Sequence, residues 1–259
     1  MEKSVNRFSR RLPVTTLYNA RDLGGWPVAG GGRTKFGVFV RCARPCGLSA
    51  EDMDYLRRYG IRLSLDFRAP SETALLPSDF SSVDWAEYRN LPLLNDTAET
   101  GRQTDAAAKL RALPETVDWG DIYVEMTEPG MDWVREGLTL AAESDGAVLF
   151  HCFTGKDRAG IFAALLLGLA GVAEEDIIAD YTVSQIYLMP VYQTMRFRFR
   201  PGRTGPDMTD GFYRTPPENM QKYLANLRSR WGGVEGYVRA AGVTEETIAR
   251  LRAKFTDKG

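Results

Sequence analysis

The sequence predicts an α/β fold in which a mainly parallel central β-sheet is flanked by helices. Short apolar runs bounded by turn residues are typical of buried strands, and longer stretches with apolar residues every three or four positions are typical of helices. Because the two kinds of segment alternate along the chain, neighbouring strands are expected to run parallel. The predicted strands cover residues 38–41, 61–67, 85–93 and 147–150.

Helices are predicted between these strands and through the C-terminal half of the chain. Ser49 is a good cap for the start of the first helix, with Asp52 placed for a cap-like contact, and Gly60 can take the left-handed conformation that ends a helix. The predicted helices cover residues 49–58, 119–127, 131–143, 161–167, 174–200, 217–231, 234–240 and 245–255.

Three segments stand apart from this pattern. Residues 1–16 are polar and basic and are predicted to be flexible, and a β-rich entry follows around residues 30–32. Residues 95–116 are polar and weakly periodic, which fits either a mobile lid or a disordered surface insertion. The basic segment 196–203 is interpreted as a solvated helix end, with a surface for acidic peptides or anionic lipids as the alternative.

Composition narrows the class of protein. With 259 residues, 44% of them hydrophobic, the chain is long enough to bury a core as one domain over 1–259. A net charge of −1 and a pI of about 6.0 argue against a general nucleic-acid binder. The sequence shows neither an apolar run of roughly 18 residues nor a secretory signal, which predicts a cytoplasmic protein without a transmembrane segment.

Cysteine and histidine are scarce. Three cysteines and one histidine do not form a zinc site of ordinary Cys/His spacing, and no metal or other cofactor is predicted. The odd number of cysteines fits a reducing compartment. Cys42 and Cys46 are interpreted as free structural thiols rather than as a pair or as a reserve for Cys152.

The segment HCFTGKDRAG at residues 151–160 has the strongest chemical signal. It connects the last predicted strand to an apolar helix, so backbone N–H groups and the helix N-terminus converge on one point that suits an oxyanion. The same positive end would stabilise a thiolate at Cys152, and the planar Arg158 guanidinium can grip two phosphate oxygens. A buried structural cysteine is the alternative, but the glycines and basic residues at this spacing favour a nucleophile for phosphoryl transfer.

The same segment resembles a known enzyme signature. His-Cys-x5-Arg is the pattern of the cysteine-dependent protein phosphatases, and the longer segment is similar to the loop of the atypical bacterial tyrosine phosphatases, which have dual or triple specificity. The resemblance extends over about residues 18–254. The supporting segments are NARDLGG at 19–25, LDFR at 65–68 with Glu72, IIADY at 177–181 and GVEGY at 233–237.

The resemblance implies a phosphatase-type fold and a two-step reaction. Cys152 would form a cysteinyl-phosphate that water then hydrolyses, while Arg158 stabilises the transferred group. The implied partners are phosphorylated proteins carrying phosphotyrosine, with phosphoserine, phosphothreonine and phosphoinositides as further candidates. Lys156 resembles the lysine of loops that act on phosphoinositides, unless its side chain is simply solvated. The expected phosphate-binding residues are Phe153, Thr154, Gly155, Lys156, Asp157 and Arg158.

Three aspartates are candidates for the general acid that protonates the leaving oxygen. Asp66 ends a predicted strand at the edge where the loops of a parallel sheet converge, and the family resemblance favours it. Asp96 follows a segment similar to the one that holds the acid in dual-specificity phosphatases, and Asp157 lies within the loop itself. Arg68 and Glu72 are interpreted as supports for the site.

Other interpretations remain open. His151 is expected to hold the loop by hydrogen bonds rather than to act as a base. A phosphate-binding protein without turnover is one alternative function, and another anion enzyme, such as an arsenate reductase or sulfurtransferase, is a second. Such reductases need shuttle cysteines near the nucleophile, whereas Cys42 and Cys46 are distant from it in sequence.

Ala159 departs from the family pattern and leads to a kinetic prediction. The residue after the arginine is usually serine or threonine, whose hydroxyl stabilises the departing thiolate when the intermediate breaks down. With alanine there, we expect slow hydrolysis of the cysteinyl-phosphate, and therefore a burst of product before the steady state with a good substrate. Equal burst and steady-state rates in single-turnover measurements would contradict this expectation.

Overall fold

A computed structural model describes residues 9–93, 118–199 and 214–257 of the chain. These residues form an α/β fold with a mainly parallel five-stranded sheet, so the predicted fold class is confirmed. A further pair of short strands forms a separate two-stranded sheet. The strands are β1 (Arg21–Asp22), β2 (Arg33–Thr34), β3 (Phe39–Cys42), β4 (Ile61–Asp66), β5 (Glu87–Asn90), β6 (Ala147–His151) and β7 (Thr256–Asp257).

The large sheet has the order β1-β3-β6-β4-β5. Strand β1 is antiparallel to β3, and the other neighbouring pairs are parallel. Cys42 on β3 and Asp66 on β4 both pair with His151 on the central strand β6, so these residues form a row across the carboxyl edge of the sheet. This is the edge at which open parallel sheets bind their ligands.

Helices follow most of the strands and fill the C-terminal half of the described chain. The helices are α1 (Ala50–Tyr59), α2 (Pro70–Leu75), α3 (Trp119–Glu125), α4 (Met131–Glu143), α5 (Arg158–Leu169), α6 (Glu174–Thr182), α7 (Ser184–Phe199), α8 (Pro217–Trp231), α9 (Val234–Ala240) and α10 (Glu245–Phe255), with a short 3₁₀ helix at Asp79–Ser82. The prediction of one helix over 174–200 is wrong, because the chain divides into α6 and α7 at Val183. The buried Ser184 hydroxyl accepts a hydrogen bond from Arg21 at this break, and sequence periodicity does not report such a contact.

Apolar side chains cover both faces of the sheet. On one face, Tyr55 and Leu56 of α1 pack against strand residues in a smaller core. On the other face, Phe162 of α5 contacts the rings of Phe67 and Trp133, with centroids 5.0 and 5.5 Å apart. Helix α5 is buried along almost its whole length, which explains why its sequence is apolar on every side.

The start of the described chain lies against α1. The Ser49 hydroxyl caps α1 as predicted, accepting from the Asp52 N–H at 3.1 Å. The Asp52 carboxylate does not cap the helix. It accepts instead from the backbone N–H groups of Thr15 and Thr16, at 2.9 and 2.7 Å. Together with the buried Leu12, these contacts join residues 12–16 to the rest of the fold, and the flexibility expected for residues 1–16 stays a prediction.

Some predicted features lie outside the described residues. The lid or insertion at 95–116 is one of them, and Asp96 lies within it. Residues 1–8 of the N-terminal segment and residues 200–203 of the basic segment are also outside.

The loop that follows β6 touches the end of β3 at Gly155. Gly155 has a φ of +70°, in the left-handed region that favours glycine. A Cβ at this position would lie 2.1 Å from the carbonyl oxygen of Cys42, well inside contact distance. Both the conformation and the space therefore require glycine.

Replacing Gly155 with alanine is expected to lower the free energy of unfolding by more than the roughly 1–2 kcal/mol that a left-handed φ alone costs, because the loop must also move away from β3. Gly47→Ala is the matched control. Gly47 has a φ of +74°, and no atom lies within 4 Å of where its Cβ would stand. Denaturant unfolding measures both variants, and equal losses would show that the close approach to Cys42 has no cost.

Candidate active site

Residues 151–160 have the predicted strand–loop–helix geometry. Strand β6 ends at His151, and α5 begins at Arg158. Cys152 stands at the start of the intervening loop and is 2% exposed. The positive N-terminal end of α5 and the amides of the loop therefore lie together near the cysteine.

Three successive carbonyl groups of the loop accept hydrogen bonds from side chains that lie outside the loop. The Asn19 amide nitrogen Nδ2 donates to the carbonyl oxygens of Thr154 and Gly155, at 3.1 Å each. Arg41 Nη2 donates to the carbonyl oxygens of Gly155 and Lys156, at 2.7 and 3.1 Å. The C=O and N–H of a trans peptide point in opposite directions, so the amides of these peptide units turn toward the inside of the loop, where they can bind an oxyanion.

A buried carboxylate holds both of these outside groups. Asp180 Oδ2 accepts from Arg41 Nη1 at 2.6 Å, and its Oδ1 accepts from Arg21 Nε at 2.8 Å. Arg21 in turn donates to Asn19 Oδ1 at 2.5 Å. Burial and the neighbouring Arg41 charge lower the pKa of Arg21 to about 10. Burial alone would raise the pKa of Asp180, but the two guanidinium groups lower it below its ordinary value, so the carboxylate stays ionised.

Arg158 is oriented by Glu72 through a two-pronged ion pair. The contacts are Nη1 to Oε2 at 2.6 Å and Nη2 to Oε1 at 2.9 Å. Glu72 itself accepts the backbone N–H of Ala69 at 2.8 Å, at the start of α2. Burial would raise the pKa of Glu72, but the hydrogen bonds and charge of Arg158 lower it. The supporting role expected for Glu72 thus corresponds to a direct contact with the arginine of the loop.

Asp66 lies in a separate ion pair. Its Oδ2 accepts from Arg68 Nη2 at 2.7 Å and from the Tyr88 hydroxyl at 2.9 Å. The side chain is fully buried. Burial alone would raise the pKa of Asp66, but the neighbouring His151 and Arg68 lower it below its ordinary value. A carboxylate held ionised in this way is a poor proton donor.

Lys156 and Asp157 meet on the α3 side of the loop. Lys156 is 2% exposed, which contradicts the alternative of a solvated side chain. Its Nζ lies 3.6 Å from Asp157 Oδ1 and 4.8 Å from the centroid of the Trp119 ring. The Asp157 side chain is 19% exposed, and its Oδ1 also accepts a hydrogen bond from the Tyr123 hydroxyl. Asp157 therefore combines a place in the loop with access to solvent.

His151 is fully buried beneath the loop. Its Nδ1 lies 3.3 Å from the carbonyl oxygen of Cys152 and 3.6 Å from Asp66 Oδ1, whereas Nε2 has no hydrogen-bond partner within the described residues. Burial lowers the pKa of His151 to about 4, so the ring is neutral at pH 7. Because a carbonyl oxygen only accepts, Nδ1 has the proton of the neutral ring when it binds Cys152.

Sequence reasoning missed several residues that build the site. Asn19 and Asp180 belong to segments that match family motifs, but the motifs alone assigned neither a role. Arg44 packs over the ring of Phe153, with 4.1 Å between the guanidinium carbon and the ring centroid. Tyr123 reaches the loop from α3. Neither Arg44 nor Tyr123 belongs to a recognised motif, and only the fold brings them to the loop.

Comparison with known proteins identifies the family. The sequence model of the tyrosine phosphatase family matches residues 12–257, which is most of the chain. The chain belongs to the tyrosine phosphatase family. It is therefore a phosphoric monoester hydrolase, and its substrates bear a phosphoryl group.

Relatives of this phosphatase extend over most of its length. A tyrosine-protein phosphatase of Nostoc commune is 33% identical over 86% of this chain and 75% of its own length. The triple specificity protein phosphatase PtpB of Mycobacterium tuberculosis is 26% identical over 94% of this chain and 82% of its own. The crystal structure of P. aeruginosa TpbA covers 79% of this chain and 86% of that chain, with 16% identity and a TM-score of 0.32.

Two kinds of feature are absent from the described part of the phosphatase. Over residues 9–93, 118–199 and 214–257, no helix has both the length and the apolar character needed to cross a bilayer. Over the same residues, no group of three or more His, Cys, Asp and Glu side chains is arranged to hold a metal ion.

The phosphatase has one histidine, so an NMR titration of imidazole protons reports on His151 alone. We expect a pKa of about 4 in the folded protein, against the ordinary value of 6.5. Below pH 6.5 the unfolded chain takes up a proton that the folded protein refuses until about pH 4, so His151 lowers stability as the pH falls through this window. The urea-unfolded protein is the control, and a folded-state midpoint near 6.5 would contradict a buried neutral ring.

Proposed function

We propose that this phosphatase hydrolyses phosphotyrosine through a cysteinyl-phosphate intermediate on Cys152. The loop is the observation that supports this most. Its carbonyl oxygens accept hydrogen bonds from Asn19 and Arg41 outside the loop, so its backbone N–H groups point inward beside the cysteine. Arg158 stands at the end of the same loop, held by Glu72. Amides and guanidinium groups are donors only, so they match the acceptor oxygens of a phosphate dianion.

In the first step, the Cys152 thiolate attacks phosphorus while the bond from phosphorus to the leaving oxygen breaks. The leaving oxygen keeps the bonding electron pair and takes a proton from the general acid. Arg158 and the loop amides stabilise the charge on the three non-bridging oxygens. In the second step, water attacks phosphorus and gives its proton to the conjugate base of that acid. The phosphorus–sulfur bond breaks and the electron pair returns to sulfur.

Asp157 is the general acid in this proposal, in place of the initially favoured Asp66. Both oxygens of Asp66 accept from Arg68, and the side chain is fully buried, so its carboxylate is held ionised and is a poor proton donor. Asp157 lies in the loop, is partly exposed, and makes its contacts with Lys156 and Tyr123 through Oδ1. Asp66 then serves to hold Arg68. Asp96 lies outside the described residues and remains the alternative.

The substrate range is proposed to extend to phosphoserine, phosphothreonine and phosphoinositides. The relative from Mycobacterium tuberculosis is named a triple specificity protein phosphatase. Lys156 places a second buried cation beside the loop, which suits a substrate with more than one phosphate. Ala159 favours a second candidate function, phosphate binding with little turnover, because it is fully buried and has no hydroxyl to assist breakdown of the intermediate.

Leaving-group dependence tests the reaction and the acid together. We expect wild-type protein to hydrolyse both p-nitrophenyl phosphate and phenyl phosphate in EDTA, and Cys152→Ser to be inactive on both. In kcat/KM, which reports the steps up to phosphoryl transfer to Cys152, Asp157→Asn should lose roughly 10²–10⁴-fold with phenyl phosphate, whose leaving group needs a proton, and far less with p-nitrophenyl phosphate.

Asp66→Asn is the matched control, and any loss it causes should be equal for the two substrates. A Cys152→Ser variant with wild-type turnover would overturn the covalent mechanism. A wild-type protein that binds vanadate but releases no phosphate would support the binding-only alternative. An equal loss in kcat/KM for both substrates in Asp157→Asn would exclude Asp157 as the acid.

A further inference from the structure

A chain of buried polar side chains ends on Asp157. Tyr123, which is fully buried on α3, donates its hydroxyl hydrogen bond to Asp157 Oδ1. The Tyr123 hydroxyl also lies 2.9 Å from the hydroxyl of Tyr181 on α6. Asn219 on α8 donates from Nδ2 to the Tyr181 hydroxyl at 3.1 Å. Three helices that are distant in sequence thus contribute to one line of hydrogen bonds.

The groups at the two ends of this line of hydrogen bonds determine which atom donates in each bond. The Nδ2 group of Asn219 can only donate, so the Tyr181 oxygen accepts from it. A carboxylate oxygen can only accept, so the proton of Tyr123 is directed to Asp157. The remaining contact is then completed by the Tyr181 proton, which is donated to the Tyr123 oxygen. Hydrogen bonds that all point the same way polarise one another, which strengthens the last donor.

The line also distinguishes the two oxygens of Asp157. Tyr123 donates to Oδ1, and Lys156 Nζ lies 3.6 Å from the same oxygen. When Asp157 is protonated, its proton lies on Oδ2, because Oδ1 still accepts the hydrogen bond from Tyr123. The same arrangement therefore suits the carboxylic acid and the carboxylate, which a group that gives and retakes a proton requires.

We propose that Tyr123, supported by Tyr181 and Asn219, is a positioning residue that holds Oδ1 of Asp157 and leaves Oδ2 to exchange the proton with the leaving group and then with water. This inference rests on the assignment of Asp157 as general acid made above. Tyr123 does not touch the reacting atoms; it acts through the orientation of the acid.

Packing alone does not explain the Tyr123 hydroxyl. Tyr223 on α8 is another fully buried tyrosine of the same core, and its hydroxyl has no hydrogen-bond partner within the described ranges. The core therefore tolerates a buried tyrosine whose hydroxyl has no hydrogen-bond partner among the described residues. Tyr223 also provides a matched control, because Tyr223→Phe removes a buried hydroxyl that is not connected to Asp157.

The test is a series of aryl phosphates with leaving groups of graded acidity. We expect Tyr123→Phe to lower kcat/KM, which reports the steps up to departure of the leaving group, roughly 10–100-fold for the poorest leaving group, about the cost of misplacing a catalytic group, with little change for the best one. Tyr181→Phe keeps the hydrogen bond between Tyr123 and Asp157. It should show a smaller loss that is again largest for the poorest leaving group. Tyr223→Phe should match wild type at every leaving group.

The outcomes separate this inference from the proposed function. If the loss in Asp157→Asn grows as the leaving group becomes poorer and the loss in Tyr123→Phe does not, the positioning role is overturned and the acid assignment stands. If neither loss grows in this way, the acid assignment itself fails. A loss in Tyr123→Phe that is uniform over all leaving groups would indicate a general structural role and would also overturn the inference. In the double variant Tyr123→Phe with Asp157→Asn, we expect no loss beyond that of Asp157→Asn alone.

Discussion

The site depends on the buried carboxylate of Asp180. Arg21 and Arg41 are themselves buried, and two cations in a poorly solvated interior repel each other unless an anion lies between them. Asp180 supplies that anion, and the remaining donors of the two arginines are then available for Asn19 and for the loop carbonyls. Without it, two buried charges would lack a partner, which in proteins costs about 3–5 kcal/mol. The groups that bind the loop carbonyls are thus connected to one charge on α6.

The other carboxylates near the loop differ in what their oxygens contact, and this difference separates their roles. Glu72 has both oxygens on Arg158, so it holds a cation at the end of the loop. Asp66 has both oxygens on Arg68 and is fully buried, so it fixes the Arg68 guanidinium group. Asp157 is contacted at Oδ1 and is partly exposed. A carboxyl group can exchange a proton when one oxygen is held and the side chain reaches solvent, and this is the basis for proposing Asp157 as the acid.

The local features of the fold could be predicted because neighbouring residues determine them. Strand β6, the loop and α5 are contiguous, and the change from a short apolar run to a longer apolar helix marks them clearly. The cap at Ser49 and the left-handed Gly60 also act within one turn of helix, so their pattern predicts the bounds of α1 closely. The division between α6 and α7 at Val183 was missed. Beside it, Ser184 accepts from Arg21, which is 163 positions away in the chain, and no local pattern contains such a contact.

The sequence by itself determined the fold class, the family and the loop that contains Cys152 and Arg158, because each of these is written in short contiguous segments. Only the tertiary structure decided which partners bind that loop and what surrounds each aspartate near it. Asn19 and Thr154 are 135 positions apart in the chain, and Tyr123 and Asp157 are 34 apart. The physical reason is that the electrostatic surroundings of a carboxylate depend on every segment packed around it, and that packing is a property of the whole fold.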